Sequence, residues 1–201
     1  MSLADFVPFL PEIFLAVAAF IVLLAGIPLG RRGSRPVIAI AIAALAVTAA
    51  LIFLVGRPVA GPQLILGDML VVDQFAVFFK LLVLAASALA LLMAAGYIDR
   101  SGYSGGEFSS LVLCADLGMF IMVSGANLVS LYVGLELMAL SVYVLVGYFK
   151  LELKSNEGAV KYFVLGAASS AVLLYGISLI YGTTGSLDLE TIRSSIADVP
   201  H

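Results

Sequence analysis

Four ionisable side chains lie inside long apolar stretches of this sequence, where a charge is costly. They are Lys80, Asp116, Glu136 and Lys161. An Asp, Lys or Arg at the centre of a membrane helix costs about 2.5–3.5 kcal/mol on insertion, so such residues normally face a bundle interior or a water-filled cavity. Because side chains of this kind commonly carry protons or ions, we treat all four as candidate functional residues.

Glu136 shares one face of its predicted helix with two phenols. Tyr132 lies one turn before it and Tyr143 two turns after it. Glu136 itself lies about 13.5 Å into its apolar stretch, near the middle of a bilayer. Burial favours the neutral form of a carboxyl group and a nearby ammonium favours the charged form, so a movable neighbour would switch whether it holds a proton. The pattern predicts a proton-carrying site. The alternative is a protonated glutamate that only hydrogen-bonds to another helix.

The other three candidates have weaker surroundings. Lys161 lies roughly 6 Å inside its stretch, where it either acts in proton movement or extends to the surface. Its depth differs from that of Glu136 by about 12 Å, which argues against a direct ion pair. Asp116 lies near the middle of a short stretch and is a candidate for proton movement. Lys80 follows Asp73 by two turns on one face, and we expect it to extend outward to water.

The composition identifies the class of protein that must position these side chains. Hydrophobic residues form 63% of the 201 residues, and charged residues only 11%, against about 25% in soluble domains. The net charge of −3 with few basic residues excludes a nucleic-acid-binding surface. One cysteine, Cys114, and one histidine, His201, leave no set of ligands for a disulfide, a Cys-rich metal site or a haem. We predict a multi-span membrane protein without a cofactor or metal of its own.

Six apolar stretches are long enough to cross a bilayer as helices, and the fold class is therefore all-α. The predicted spans are about 9–29, 36–55, 73–97, 108–124, 127–148 and 157–181, within a transmembrane region 1–182. Small residues in the sixth span indicate close helix packing rather than chemistry: Gly166, Ser169, Ser170 and Gly176. The segment 183–201 is external and polar, and it is either a surface helix at the membrane interface or a disordered end.

The placement of lysine and arginine predicts the orientation. The first, third and fifth connections hold Arg31, Arg32, Arg35, Arg100, Lys150 and Lys154, whereas the opposite side holds Arg57 and Arg193. The more basic side faces the cytoplasm or matrix. Both ends of this chain are then expected outside.

Four segments resemble a known family: LPEIFLA, VDQFAVFFKLLVL, NLVSLYVGLELMALSVYVLVGY and EGAVKYFVLGAASSAVLLYGISLIYGTTGSLDL. They are similar to subunit N of proton-pumping NADH–quinone oxidoreductase (respiratory complex I), an antiporter-like subunit with a mitochondrial counterpart, NADH dehydrogenase subunit 2. The resemblance extends over nearly the whole chain. Related sodium/proton antiporter and membrane-bound hydrogenase subunits share the glutamate of the third segment.

The resemblance implies roles for two of the candidate residues. In the family, a glutamate of the fifth helix works with a lysine of the seventh helix, next to a broken helix. That glutamate corresponds to Glu136, and the family's sixth-helix lysine corresponds to Lys161; Lys80 and Asp116 are not part of the shared motif. The seventh-helix lysine has no match here. Family members have roughly twice this length and about fourteen helices in inverted repeats, so this chain would supply three leading helices and the opening part of the first repeat.

The function implied by the resemblance is proton translocation coupled to electron transfer from NADH to quinone. The expected partners are the other membrane subunits of complex I, including further antiporter-like subunits, and the lipid bilayer. FMN, iron–sulfur clusters and quinone would be held by other subunits. The chain itself is expected in the bacterial inner membrane rather than the mitochondrial one. Two alternatives stay open: a subunit of a related antiporter or membrane-bound hydrogenase, and a structural membrane subunit with no transport role.

Overall fold

Six long helices and one short helix dominate the computed structural model, which describes residues 7–29, 34–55 and 61–197. The helices are α1 (Leu10–Leu29), α2 (Ser34–Leu54), α3 (Gln74–Ser101), α4 (Gly105–Val123), α5 (Leu128–Val146), α6 (Leu153–Thr184) and α7 (Leu189–Ala197). The first six are long and apolar enough to cross a membrane, which confirms the predicted all-α, six-span fold class. α6 begins one turn earlier than the sequence indicated.

Local chemistry fixes the ends of the helices that carry the candidate residues. The side chain of Asp73 accepts a hydrogen bond from the backbone N–H of Ala76 at 2.6 Å, and α3 ends at Gly102 with a positive φ of 71°. Asn127 likewise accepts from the N–H of Ser130 at 2.8 Å and starts α5. Such caps satisfy backbone groups that a helix end leaves unpaired. α4 ends at Val123 and α5 begins at Leu128, so the α4–α5 connection is only a few residues long. The two helices lie side by side.

The core lies among α1, α2, α3 and α4, and α5 and α6 pack against its side. Its largest fully buried side chains include Leu15, Ile38, Leu91 and Phe120. α5 approaches α4 through two glycines, Gly118 and Gly134. α6 contacts the bundle through α5, and Ile177 is its only buried residue among the described positions. The helix that follows Glu136 in the chain is thus also the most exposed one.

A small backbone layer covers the outer end of the bundle, on the side of the second and fourth connections. Strands β1 (Gln63–Ile65) and β2 (Leu70–Val72) form an antiparallel hairpin within the connection between α2 and α3. The α4–α5 link lies beside it, because the N–H of Ala126 donates to the carbonyl of Met69 at 2.9 Å. On the other side of the link, the N–H of Leu128 donates to the carbonyl of Leu187 at 2.9 Å. Three connections are thereby joined at one end.

The predicted surface helix after the sixth span is present as α7, which has an apolar side with Ile192 buried. Asp188 starts it by accepting two hydrogen bonds from Thr191, from the N–H and from the hydroxyl, both at 2.8 Å. These hydrogen bonds stabilise the ionised carboxylate and lower the pKa of Asp188 below its usual value. The position of α7 at a membrane interface stays a prediction.

We predict that the inner side, which carries Leu151, faces the cytoplasm and that α7 faces outward. Arg31, Arg32 and Arg57, three of the charges behind this orientation, lie outside the described residues. Leu151 is 90% exposed and Ser194 is exposed too, so both positions can be labelled. In a Cys114→Ala background, a membrane-impermeant maleimide added from outside should label Ser194→Cys and spare Leu151→Cys. The reverse pattern would contradict the topology.

Candidate functional site

Glu136 lies at the contact between α5 and α6, within a group of three hydrogen-bonded side chains. The hydroxyl of Ser170 donates to Oε1 of Glu136. The same hydroxyl lies 3.0 Å from the hydroxyl of Tyr132. Tyr132 and Glu136 are one turn apart on α5, and Ser170 faces both from α6. The three hydroxyl and carboxyl groups form a continuous hydrogen-bonded chain across the two helices.

Tyr143 extends the same helix contact toward the inner side. Its ring meets the rings of Tyr162 and Phe163 on α6, with centroids 5.1 and 5.8 Å away. Its hydroxyl lies against Gly166, where even a Cβ atom would collide with it. Gly166 and Ser170 are one turn apart on α6, so one face of that helix meets both Tyr143 and Glu136. Tyr132, Glu136 and Tyr143 share one face of α5, as their spacing predicts, and the structure places α6 against that face.

Lys161 lies further inward on α6 and pairs with its own helix. Its ammonium is 2.5 Å from Oε1 of Glu157, one turn earlier, and the two side chains are 69% and 56% exposed. Lys161 and Glu136 therefore have different partners, and the α5–α6 contact with Tyr143 separates them along the helices.

The expectation that Lys80 extends outward to water is wrong. Lys80 is 5% exposed and its ammonium is 2.5 Å from Oε1 of Glu12, which is 2% exposed. Its position on α3 directs it into the bundle, where Phe120 offers a ring face 5.7 Å away. A partner on α1, rather than Asp73 on its own helix face, determines where the lysine goes.

Asp116 is also inside the bundle, and fully buried. Its Oδ1 accepts a hydrogen bond of 2.5 Å from the hydroxyl of Ser87 on α3. Oδ2 has no hydrogen-bond partner among the described residues. Lys80 and Asp116 thus lie in the α1–α3–α4 core, apart from the Glu136 group at the α5–α6 contact.

Sequence reasoning missed three partners of these residues: Glu12, Ser87 and Ser170. Ser170 was predicted to serve packing only. Ser170 is instead the hydrogen-bond donor to Glu136. Gly176, predicted to be a close-packing position, has nothing within 4 Å of a built Cβ. For Ser170 a signal existed, since a hydroxyl in a membrane helix needs a partner, but the sequence does not say which helix supplies it.

Comparison with known proteins shows that the chain is similar to antiporter-like membrane subunits. A family model described as "NADH:quinone oxidoreductase/Mrp antiporter, TM" matches residues 125–199, which include Glu136, Lys161 and Ser170. In a respiratory complex I from Thermus thermophilus, a chain of 32% identity superposes with a TM-score of 0.71 over 89% of this chain and 38% of that one. A chain of an archaeal membrane-bound sulfane sulfur reductase has the same fold, with a TM-score of 0.65 at 24% identity over 94% and 39%.

The particular resemblance is to subunit N of NADH–quinone oxidoreductase. The subunit N of Parvibaculum lavamentivorans is 43% identical over 96% of this chain and 39% of its own length. That of Granulibacter bethesdensis is 39% identical over 93% and 38%. The resemblance predicted from the sequence is confirmed. The chain spans about two fifths of the length of these relatives.

Proposed function

We propose that this chain is the N-terminal part of a proton-translocating membrane subunit of NADH–quinone oxidoreductase, in a bacterial inner membrane. The observation that carries the proposal is the Glu136 group. A carboxyl group, a serine hydroxyl and a tyrosine hydroxyl are hydrogen-bonded in sequence across α5 and α6. A hydrogen-bonded chain of this kind can pass a proton when its members reorient, and a carboxyl group within a membrane span can store one between steps.

The arrangement supports entry of protons from the inner side. The exposed Glu157–Lys161 pair lies nearest that side, Tyr143 and Tyr162 come next, and Glu136 lies deepest. From Tyr143 to Glu136 the distance along α5 is about 10.5 Å, which water or a moving side chain must cover. Moving one charge against 100 mV requires about 2.3 kcal/mol, and in this proposal electron transfer in partner subunits supplies it.

The proposed partners follow from the relatives. The other membrane subunits of the complex, including further antiporter-like ones, would pack on the chain, and FMN, iron–sulfur clusters and quinone would be bound elsewhere. The broad exposed surface of α6 fits a helix that meets further protein. Co-purification of the full-length subunit with a flavin- and iron–sulfur-containing complex tests this. Isolation as a free ion antiporter, or with a hydrogenase, would contradict it.

For Lys161 we predict a role in the rate of proton entry rather than in assembly. Lys161→Ala in the full-length subunit should lower proton-coupled quinone reduction several-fold, because the ammonium beside Glu157 is lost. The complex should assemble normally, because the ammonium of Lys161 pairs with a residue of its own helix and joins no two helices. Lys154→Ala, an exposed lysine at the start of the same helix, is the matched control. Wild-type rates in the assembled Lys161 variant would show that this lysine only reaches the surface.

A further inference from the structure

A second group of polar side chains lies in the α1–α3–α4 core, away from Glu136. Glu12, Lys80, Ser87 and Asp116 are exposed by 2%, 5%, 8% and 0%. Lys80 pairs with Glu12, and Ser87 donates to Asp116, each at 2.5 Å. Four buried polar side chains on three helices are costly in a membrane, and such residues are by default functional.

The ion pair and the aspartate lie at neighbouring levels of one helix interface. Lys80 and Ser87 are two turns apart on the buried face of α3. Asp116 and Phe120 are one turn apart on the buried face of α4. Because the ammonium of Lys80 is 5.7 Å from the ring centroid of Phe120, the ion pair lies about one helical turn from the level of Asp116.

The charge balance of this group is uneven. Glu12 and Lys80 neutralise each other, whereas no ion pair involving Asp116 occurs in the described part of the chain. Asp116 receives one hydrogen bond, from Ser87, and its buried Oδ2 has no partner in the part of the chain that the structure describes. An ionised carboxylate in an apolar interior is very unfavourable unless it is paired, so it takes up a proton instead.

We propose that Asp116 and Ser87 form a second proton-holding site, and that the Glu12–Lys80 ion pair keeps this site occupied. While Glu12 neutralises Lys80, Asp116 has no cation to balance a negative charge and keeps its proton on Oδ2. When Glu12 is neutral, the uncompensated ammonium favours the ionised form of Asp116. The O–H bond at Oδ2 then breaks, the proton passes to a water molecule, and Ser87 continues to donate to Oδ1.

The other titratable groups of the neighbouring helices do not replace Lys80 in this role. In the described part of α2, the only charged residue is Arg35, which is paired with Asp99 at the inner side. α5 meets α4 through Gly134 and Met138, while Glu136 and Tyr132 bond to Ser170 and Tyr143 lies against α6. On α4 itself, Cys114 interacts with Ser110. Lys80 is the cation whose charge the carboxyl group can balance.

The proton occupancy of Asp116 is independent of the proposed function. Only the use of this proton in translocation rests on that proposed function. The occupancy is measured directly by infrared spectroscopy of the full-length, membrane-embedded subunit. The C=O stretching band of a protonated carboxylic acid should appear in the difference between wild type and Asp116→Asn. Deuterium exchange should shift this band to lower frequency, as expected for the C=O stretch of a carboxylic acid.

The Glu12 and Lys80 variants test the control by the ion pair. In Glu12→Gln the acid band of Asp116 should be lost, and in Glu12→Gln/Lys80→Met it should return. Lys80→Met alone should keep the Asp116 band and gain a second acid band from Glu12. This variant tests the ion pair even if the Glu12→Gln protein does not accumulate. Glu152→Gln, at an exposed glutamate, is the control and should change nothing.

Three results would overturn the proposal. Absence of an acid band that depends on Asp116 in the wild type would mean that this side chain holds no proton. Survival of the band in Glu12→Gln, or failure of Lys80→Met to add an acid band, would mean that the ion pair does not set the occupancy. None of these results depends on NADH-driven proton uptake, which tests the role of Glu136 separately.

Discussion

Glu136→Gln is expected to lower the rate of NADH-driven proton uptake in the assembled enzyme by about two orders of magnitude or more. This is the rate factor that one positioned proton-transfer group typically contributes. Glutamine has the size of glutamate, and its carbonyl can accept the hydrogen bond that Ser170 now donates to Glu136. The α5–α6 contact should therefore survive, and only the ability to hold a proton is removed. Proton uptake and subunit content are measured together in membrane vesicles with full-length subunit.

Glu136→Asp is the matched control for this experiment. It still takes up a proton but is one methylene shorter, so it should retain a substantial part of the uptake. A purely structural glutamate predicts the opposite order, since the neutral isostere would be harmless and the shorter charged residue damaging. An active Gln variant beside an inactive Asp variant would assign Glu136 to helix packing and move the proton path elsewhere.

Gly134→Val is expected to separate α5 from α4 and to destabilise the subunit by more than the roughly 1–3 kcal/mol typical of overpacking. A Cβ on Gly134 would come within 2.6 Å of the backbone nitrogen of Met122 and 2.8 Å of the carbonyl oxygen of Gly118. Both contacts are with backbone, which cannot rotate away as a side chain can. Thermal unfolding and limited proteolysis in membranes measure the loss.

Gly96→Val provides the control for the glycine variant, because it makes the same change on α3. Among the described residues, a Cβ on Gly96 would approach only the flexible end of the Arg100 side chain, at 3.8 Å, so its unfolding temperature should stay close to that of the wild type. Equal losses in the two variants would show that valine in a helix, rather than the close approach of α4 and α5, causes the effect.

The sequence was sufficient for the helices and for the direction of several side chains. Apolar runs long enough to cross a bilayer predict helices on physical grounds, since the backbone must satisfy itself in lipid. Helical periodicity also predicts that Tyr132 and Glu136 share a face, and the two do meet the same serine. The short hairpin was missed because strands of three residues carry too little alternation to be recognised.

Contacts between helices were beyond the sequence. Periodicity says which side of a helix a residue occupies but not which helix lies opposite. Lys80 therefore gave no sign of Glu12, sixty-eight positions earlier, and Asp116 none of Ser87. The prediction for Lys80 failed because it considered only lipid and water as surroundings. It left out a carboxylate on another helix, Glu12, which neutralises the ammonium inside the bundle.

The backbone layer at the outer end gives α5 a pivot. The α4–α5 link is hydrogen-bonded on one side to the hairpin and on the other to the segment before α7, so the first turn of α5 cannot slide along its axis without breaking these bonds. The inner end has no comparable clamp of β-type hydrogen bonds in the described residues. A tilt of the helix then displaces each residue in proportion to its distance from Asn127, about 13.5 Å for Glu136 and about 24 Å for Tyr143. A small angular change at the pivot thus opens the inner, tyrosine-lined end nearly twice as far as it moves the glutamate.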